Sequence, residues 1–248
     1  LNDNTVLIEG KLYKKGEVVK TILTDIEGVA STSADLLPYG KYRIEESKAP
    51  EGYLTDGAKP IEFEITEDGK IVDLTGEDTS IYNQVKRGDL EGVKIGAGTH
   101  QRLAGVPFRI TSKTTGESHV IVTDDNGQFS TASDWVSHKQ NTNEGKTSED
   151  GIWFGTSEPD DSKGALLHDT YEIEELRCDS NKGLKLIPPF EIIVSRNHTV
   201  IDLGTLTDEY EKEISIHTTA TSKDGEKTII AGKEVTIIDT VTLDGLVT

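Results

Sequence analysis

Residues 37–53 read LPYGKYRIEESKAPEGY, and proline and glycine residues place a turn on either side of a short strand. Side chains of a strand alternate between its two faces, so Tyr42, Ile44 and Glu46 share one face. If that face points into a core, the Glu46 carboxyl lies beside apolar side chains and needs a partner or a proton. The alternative is a shifted register in which Glu46 is solvated.

The composition favours thin all-β modules over a single large core. The chain has 248 residues, of which 33% are hydrophobic, 6% are aromatic and 24 are glycine, and Val, Ile and Thr are prominent. The net charge of −19 argues against nucleic acid and anionic membrane surfaces as partners. No apolar run approaches the roughly 20 residues of a membrane-spanning helix, so we expect no membrane insertion.

The ends of the sequence carry no signal peptide, sorting motif or methionine, so we expect a piece of a longer protein. The one cysteine, Cys178, excludes an internal disulfide framework. No Cys-His signature surrounds it, and we expect a structural role.

One module occurs twice in the sequence. Residues 22–32 match 121–131, and residues 42–46 match 171–175 in the same order. The distance in sequence from a residue of the first copy to its match in the second is larger for the second match than for the first. The difference indicates an insertion of about 30 residues between the two matched segments of the second copy. We predict one β-sandwich over residues 1–87 and a second over 88–213, with the insertion near 134–168.

The motif at 42–53 resembles the E-box of Cna-B-type (SpaA-like) domains, which occur in Gram-positive pilins and surface adhesins. The places of that pattern are filled here by Tyr42, Ile44, Glu46, Lys48, Ala49, Pro50, Gly52 and Tyr53. The resemblance implies tandem immunoglobulin-like β-sandwich modules. It also implies an extracellular, cell-wall-anchored protein whose anchor and signal lie outside this segment, with neighbouring modules of the same polypeptide as partners.

The chemistry that the resemblance implies is a self-made crosslink. In such domains a first-strand lysine attacks a side-chain amide or carboxyl carbon on the last strand. An amine must be neutral to attack, and its ordinary pKa is near 10.4, which burial lowers. The glutamate of the E-box must be protonated to polarise the carbonyl and shuttle protons. We therefore expect no enzyme activity beyond crosslinking, and no cofactor.

In the second copy the resemblance places Lys94 on the first strand and Glu175 in the E-box. The last strand has no asparagine. By spacing from Phe190, Asp208 falls near the acceptor place, with Asp202 as the second candidate.

In the first copy Glu46 and Asn83 occupy the promoting and acceptor places. The lysine-bearing first strand is missing unless Lys11 or Lys20 substitutes for it.

Residues 214–248 resemble the opening strands of Thr–Gln ester-bond domains of Gram-positive adhesin stalks. Alternation places Thr218 on one face with Ile216 and Ala220, which makes Thr218 the expected ester nucleophile, with its glutamine partner beyond Thr248. An ordinary strand pair is the alternative.

The insertion contains both tryptophans, Trp135 and Trp153. An aromatic loop on a rigid scaffold can bind a ligand, here a host extracellular protein or a glycan. The alternative is that both rings pack inward and anchor the loop. A structural stalk is thus the first hypothesis and a ligand-binding adhesin domain the second.

Other sites find less support in the sequence. The run 124–127 (Asp-Asp-Asn-Gly) starts like a calcium loop, but no bidentate glutamate follows, and a hairpin turn explains it. The six histidines show no metal-ligand spacing, so we expect no metal. A carbohydrate-active enzyme is the third hypothesis, but Glu174 and Glu175 are adjacent and face opposite sides of a strand, so they cannot flank one substrate bond.

Overall fold

The computed structural model describes residues 5–211, 215–222 and 236–244. These residues form strands and one short 3-10 helix, Glu77–Thr79. The prediction of an all-β fold class is confirmed. The predicted third segment, 214–248, lies partly outside the described residues.

The first part of the chain contains three strand pairs. Its strands are β1 (Val6–Ile8), β2 (Lys11–Tyr13), β3 (Gly40–Ile44), β4 (Tyr53–Leu54), β5 (Ile61–Ile65) and β6 (Gln84–Val85). Antiparallel pairs join β1 to β2, β3 to β5 and β4 to β6. Glu9 and Gly10 both have positive φ, as the two-residue turn between β1 and β2 requires.

The segment between β2 and β3 contains no strand, unlike its match in the second copy. Residues 18–23 are not in a strand, and Leu23 and Ile26 are fully exposed. The matching part of the second copy forms strands because it pairs with two long neighbours. The described strands of residues 5–85 form only two-stranded sheets, so the first copy offers no such partners.

Ten strands follow: β7 (Arg87–Ile95), β8 (Pro107–Ser112), β9 (Ser118–Val122), β10 (Gln128–Ser130), β11 (Leu166–Leu167), β12 (Asp169–Glu175), β13 (Leu184–Lys185), β14 (Phe190–Val194), β15 (Thr199–Thr207) and β16 (Glu209–Tyr210). One four-stranded sheet has the order β14-β12-β8-β9. In the other sheet β10 and β11 pair with β7 on one side, and β15 runs parallel to β7. Apolar side chains between these strands form the main core, including Leu90, Phe108, Ile110, Ile121, Phe129 and Ile173.

The internal repeat also has a counterpart in hydrogen bonding. The Asp25 carboxylate accepts the amides two and four residues on, at 2.9 and 3.0 Å, and Asp124 does the same at 2.8 and 2.9 Å. Tyr42 donates its hydroxyl to the carbonyl four residues back, and Tyr171 makes the same bond. The two copies therefore share local geometry, and the domain boundaries given above stay a prediction.

The C-terminal described residues form one antiparallel pair. Strand β17 (Ser215–Ser222) pairs with β18 (Ile237–Asp244), and Thr218 lies opposite Val241. Residues 223–235 between the two strands are outside the described part of the chain.

Candidate functional site

Lys94, Glu175 and Asp208 meet in the interior of the second copy. The Lys94 Nζ lies 2.9 Å from Glu175 Oε2 and also contacts Asp208 Oδ1. All three side chains are fully buried. The structure thus brings together the lysine, the glutamate and the first acceptor candidate that the sequence singled out.

Strand pairing explains why these residues meet. The parallel pairing of β7 with β15 sets Leu206 beside Lys94, and the Asp208 amide then donates to Ile95 O at 3.2 Å. Glu175 ends β12, where alternation points it inward with Tyr171 and Ile173. Two different sheets therefore supply the site.

Burial dominates the electrostatics of the acceptor. It raises the pKa of Asp208 from 3.8 to about 6, with the Lys94 ammonium acting against the rise and the neighbouring Glu175 carboxyl adding to it. Asp208 Oδ2 is buried and accepts no hydrogen bond. One ammonium and two carboxyl groups are neutral together only when one carboxyl holds a proton, which is the form that a dry interior favours.

The surroundings of Glu175 include groups that the sequence did not indicate. Its Oε1 accepts a hydrogen bond from Asn181 Nδ2 at 2.9 Å, and its Oε2 accepts one from the Ile187 amide at 3.2 Å. Asn181 lies in the loop between β12 and β13, fully buried. Because Asn181 lies in a loop, the alternation of side chains along a strand could not predict that it is buried beside Glu175, and only the contacts in the structure show this.

The second acceptor candidate does not reach the site. Asp202 is exposed, and its carboxylate accepts the Gly204 amide at 2.7 Å within its own turn.

In the first copy Glu46 and Asn83 contact each other through the Asn83 amide. Both side chains are half-buried. Lys11 lies over the Tyr13 ring and Lys20 is exposed, so neither is buried with Glu46 as Lys94 is with Glu175.

The two tryptophans of the insertion have different environments. Trp153 is 8% exposed and lies against the Arg87 guanidinium, whose carbon is 3.8 Å from the ring centroid. Trp135 is 37% exposed. The structure thus differs from both arrangements considered for the insertion, because Trp153 packs into the core whereas Trp135 stays partly exposed.

Arg87 ties the insertion to the start of β7. Its guanidinium donates to the carbonyls of Phe154, Gly164 and Ala165 at 2.8 to 3.2 Å. The insertion thus supplies the acceptors that a buried arginine needs, and most of it is an anchored part of the fold.

The two copies touch at the E-box turn of the first. Gly52 has a φ of +85°, and a Cβ there would lie 2.7 Å from His168 Nδ1. The Lys86 amide donates to Gly52 O, and the His168 amide donates to Lys86 O, both at 2.8 Å. Lys86 therefore hydrogen-bonds to both copies.

The structure also locates the other residues that the sequence analysis considered, namely Thr218 and the run 124–127. Thr218 is exposed on β17, and its role as an ester nucleophile stays a prediction. The 124–127 run forms the turn between β9 and β10 through the Asp124 carboxylate. Within the described ranges no group of three His, Cys, Asp or Glu side chains is arranged to hold a metal, and no helix could cross a membrane.

Comparison with known proteins gives one family match. Residues 5–80 match the model described as "SpaA: Prealbumin-like fold domain". No curated protein matches the chain significantly.

The solved structures that match the chain include the following three. The Bacillus anthracis TIE protein is 17% identical with a TM-score of 0.48, covering 91% of this chain and 38% of its own. A streptococcal ancillary pilin is 17% identical with a TM-score of 0.32, covering 72% and 44%. The minor pilin GBS52 of Streptococcus agalactiae is 15% identical with a TM-score of 0.33, covering 77% and 67%. This chain therefore spans less than half of the first two.

The E-box motif, the strands around it and the family match concern the same stretch of sequence. Over residues 5–80 the chain is similar to the SpaA family of prealbumin-like domains.

Proposed function

We propose that the chain is a structural segment of a Gram-positive surface adhesin or pilus-like protein, and that its second copy crosslinks itself between Lys94 and Asp208. The observation that carries this proposal is the buried contact of Lys94 with both Glu175 and Asp208. A lone buried lysine beside two carboxyl groups is a costly arrangement for stability alone. Amide formation removes two of the three ionisable groups.

The reaction is a condensation. The Lys94 ammonium passes a proton to Glu175, and the neutral amine attacks Cγ of protonated Asp208. Glu175 then returns the proton to the departing hydroxyl. Glu175 also takes up the second proton that the former amine nitrogen gives up. A C–N bond forms, one C–O bond breaks, one water leaves, and Glu175 ends protonated. Because the reaction consumes its own nucleophile and acceptor, it occurs once per chain and is not turnover.

Intact mass measurement tests the crosslink. We expect a mass about 18 Da below that of the sequence, which is the loss of one water. Glu175→Ala should restore the full mass. Glu174→Ala is the matched control, since Glu174 is the neighbouring residue, is half-exposed and pairs with Arg109. A full mass in the unaltered chain would contradict the crosslink while leaving the fold untouched.

The family match of residues 5–80 supports the extracellular setting, with neighbouring modules of the same polypeptide as partners. The chain spans only part of the solved structures it matches, so assembly and wall anchoring belong to the proposal. Surface localisation can be tested with antibodies raised against the chain on intact cells. Labelling confined to broken cells would contradict it.

A second candidate function is ligand binding by the insertion. Trp135 and Val136 are neighbouring apolar residues that are 37% and 38% exposed. A host protein or glycan that uses this surface should lose affinity on Trp135→Ala without a change in melting temperature. Unchanged binding to host matrix and glycan arrays would remove this candidate.

A further inference from the structure

We propose that Asn181 is a positioning residue for the crosslinking reaction. Its amide holds the Glu175 carboxyl so that Oε2, and not Oε1, exchanges protons with Lys94 and Asp208. This inference rests on the proposed function above, and it assigns a role to a residue outside the lysine, glutamate and aspartate that the sequence singled out.

The two oxygens of Glu175 have different partners. Oε1 accepts the Asn181 amide, whereas Oε2 accepts Lys94 Nζ at 2.9 Å. A carboxyl group that is hydrogen-bonded on both sides cannot rotate about its last bond without losing one partner. A proton that leaves Lys94 is therefore received on the oxygen that faces the reacting pair.

The orientation of the Asn181 amide is itself determined. Its Oδ1 accepts the Cys178 amide at 2.8 Å, so a flipped side chain would set NH₂ against an N–H donor. Its Nδ2 donates one hydrogen to Glu175 and the other to Leu176 O at 2.9 Å. Every polar group of this buried side chain is used, so the donor aimed at Glu175 is fixed in place.

The first copy contains the same contact built from another position. Asn83 Nδ2 donates to Glu46 and to Leu54 O at 3.2 Å, just as Asn181 Nδ2 donates to Glu175 and a backbone carbonyl. Both E-box glutamates thus accept a side-chain amide, although the two asparagines lie on different segments. Because Asn83 fills the acceptor place of the first copy, its contact with Glu46 also corresponds to Asp208 beside Glu175, and the role of Asn181 rests on the contacts of the second copy.

The rate of crosslinking tests the proposal. The full chain is synthesised in a cell-free system, sampled over time and analysed for the loss of one water. We expect Asn181→Ala to slow the conversion about tenfold or more, since positioned acid–base groups contribute factors of that size or larger. Asn143→Ala is the control, because Asn143 is an equally buried amide that binds Val120 and Val122 backbone groups away from the site. It should lower stability and leave the rate unchanged.

A second variant separates positioning from mere stability. In Asn181→Asp the new carboxyl can donate to Glu175 only when it is protonated. Its rate relative to the unaltered chain should therefore recover as the pH falls from 7 toward about 4, near the ordinary pKa of an aspartate. A purely structural residue would show no such pH-dependent rescue.

The outcomes distinguish the two proposals. If the unaltered chain never loses water, the crosslink fails and the role of Asn181 fails with it. If the unaltered chain reacts and both Asn181 variants react at its rate at every pH, only the positioning role is overturned. Slow variants with rescue in acid, and a normal rate for Asn143→Ala, support both.

Discussion

Lys94 on β7 contacts Asp208, the residue that directly follows the parallel strand β15, although 114 positions separate them in the sequence. A covalent bond between them would close a loop of that length in the unfolded chain. In the chain-entropy model such a loop stabilises the fold by about 4 to 5 kcal/mol. We therefore expect Glu175→Gln, which keeps the shape of the side chain but stops the reaction, to lower the unfolding free energy by about that amount. Urea unfolding measures it, and equal midpoints for reacted and unreacted chains would contradict the crosslink as a source of stability.

The pH dependence of stability should also differ between reacted and unreacted chains. The folded-state pKa of Asp208 is raised from 3.8 to about 6, so between these values the folded chain binds more protons than the unfolded chain. Stability then falls as the pH rises through this window. The Glu175→Gln chain keeps the burial that is the main cause of the shift. We expect its melting temperature, relative to that of the reacted chain, to drop between about pH 4 and pH 6. Parallel curves for the two chains would show that Asp208 does not titrate this way.

Arg87 should contribute to stability through the insertion. Arg87→Ala removes the guanidinium donor from three carbonyls, of which Ala165 O keeps the Phe154 amide as a donor, and it removes the cation over Trp153. We therefore expect a loss of about 3 kcal/mol. Arg109→Ala is the matched control, because Arg109 makes an exposed ion pair with Glu174 worth less than about 1 kcal/mol. Denaturant unfolding compares the two. A loss for Arg87→Ala as small as the control would mean that the insertion is held by other contacts.

Gly52 and Gly10 allow the contact between the copies to be tested. Both have positive φ, but a Cβ at Gly10 meets no atom within 4 Å, whereas at Gly52 it meets His168. Alanine should cost about 1 kcal/mol at Gly10 from backbone strain alone. At Gly52 we expect roughly 1 kcal/mol more, because the His168 ring must move. Thermal unfolding of both variants gives the difference, and equal costs would indicate that the ring moves freely.

The composition and the resemblance to E-box domains predicted the class of fold and three residues that the structure brings into contact. Lys94, Glu175 and Asp208 each occupy a place set by strand alternation or by spacing within a strand, which sequence patterns record. Trp153 could not be placed in this way, because its burial depends on Arg87, 66 positions earlier in the numbering, and on carbonyls of the insertion.

A third match between the two copies, in which both segments read Phe-Glu-Ile, shows that sequence similarity can also misplace a strand by two residues. Sequence similarity aligns residues 63–65 with 190–192. In the structure Tyr42 pairs with Phe63, and its counterpart Tyr171 pairs with Ile192. The true correspondence is therefore shifted by two residues. A shift of two keeps the same face inward, so the period-two pattern cannot detect it.

The parallel course of β7 and β15 also decides where the two ends of the second copy lie. The chain enters at Arg87, at the beginning of β7, and leaves after Asp208, at the end of a strand that runs the same way. Entry and exit are therefore at opposite ends of the sheet. With a bond between Lys94 and Asp208, a force that pulls on the two ends would be carried by β7 as far as Lys94, then by the new amide bond, and then by the chain after Asp208. The residues from 95 to 207 would form a side branch that carries none of the force.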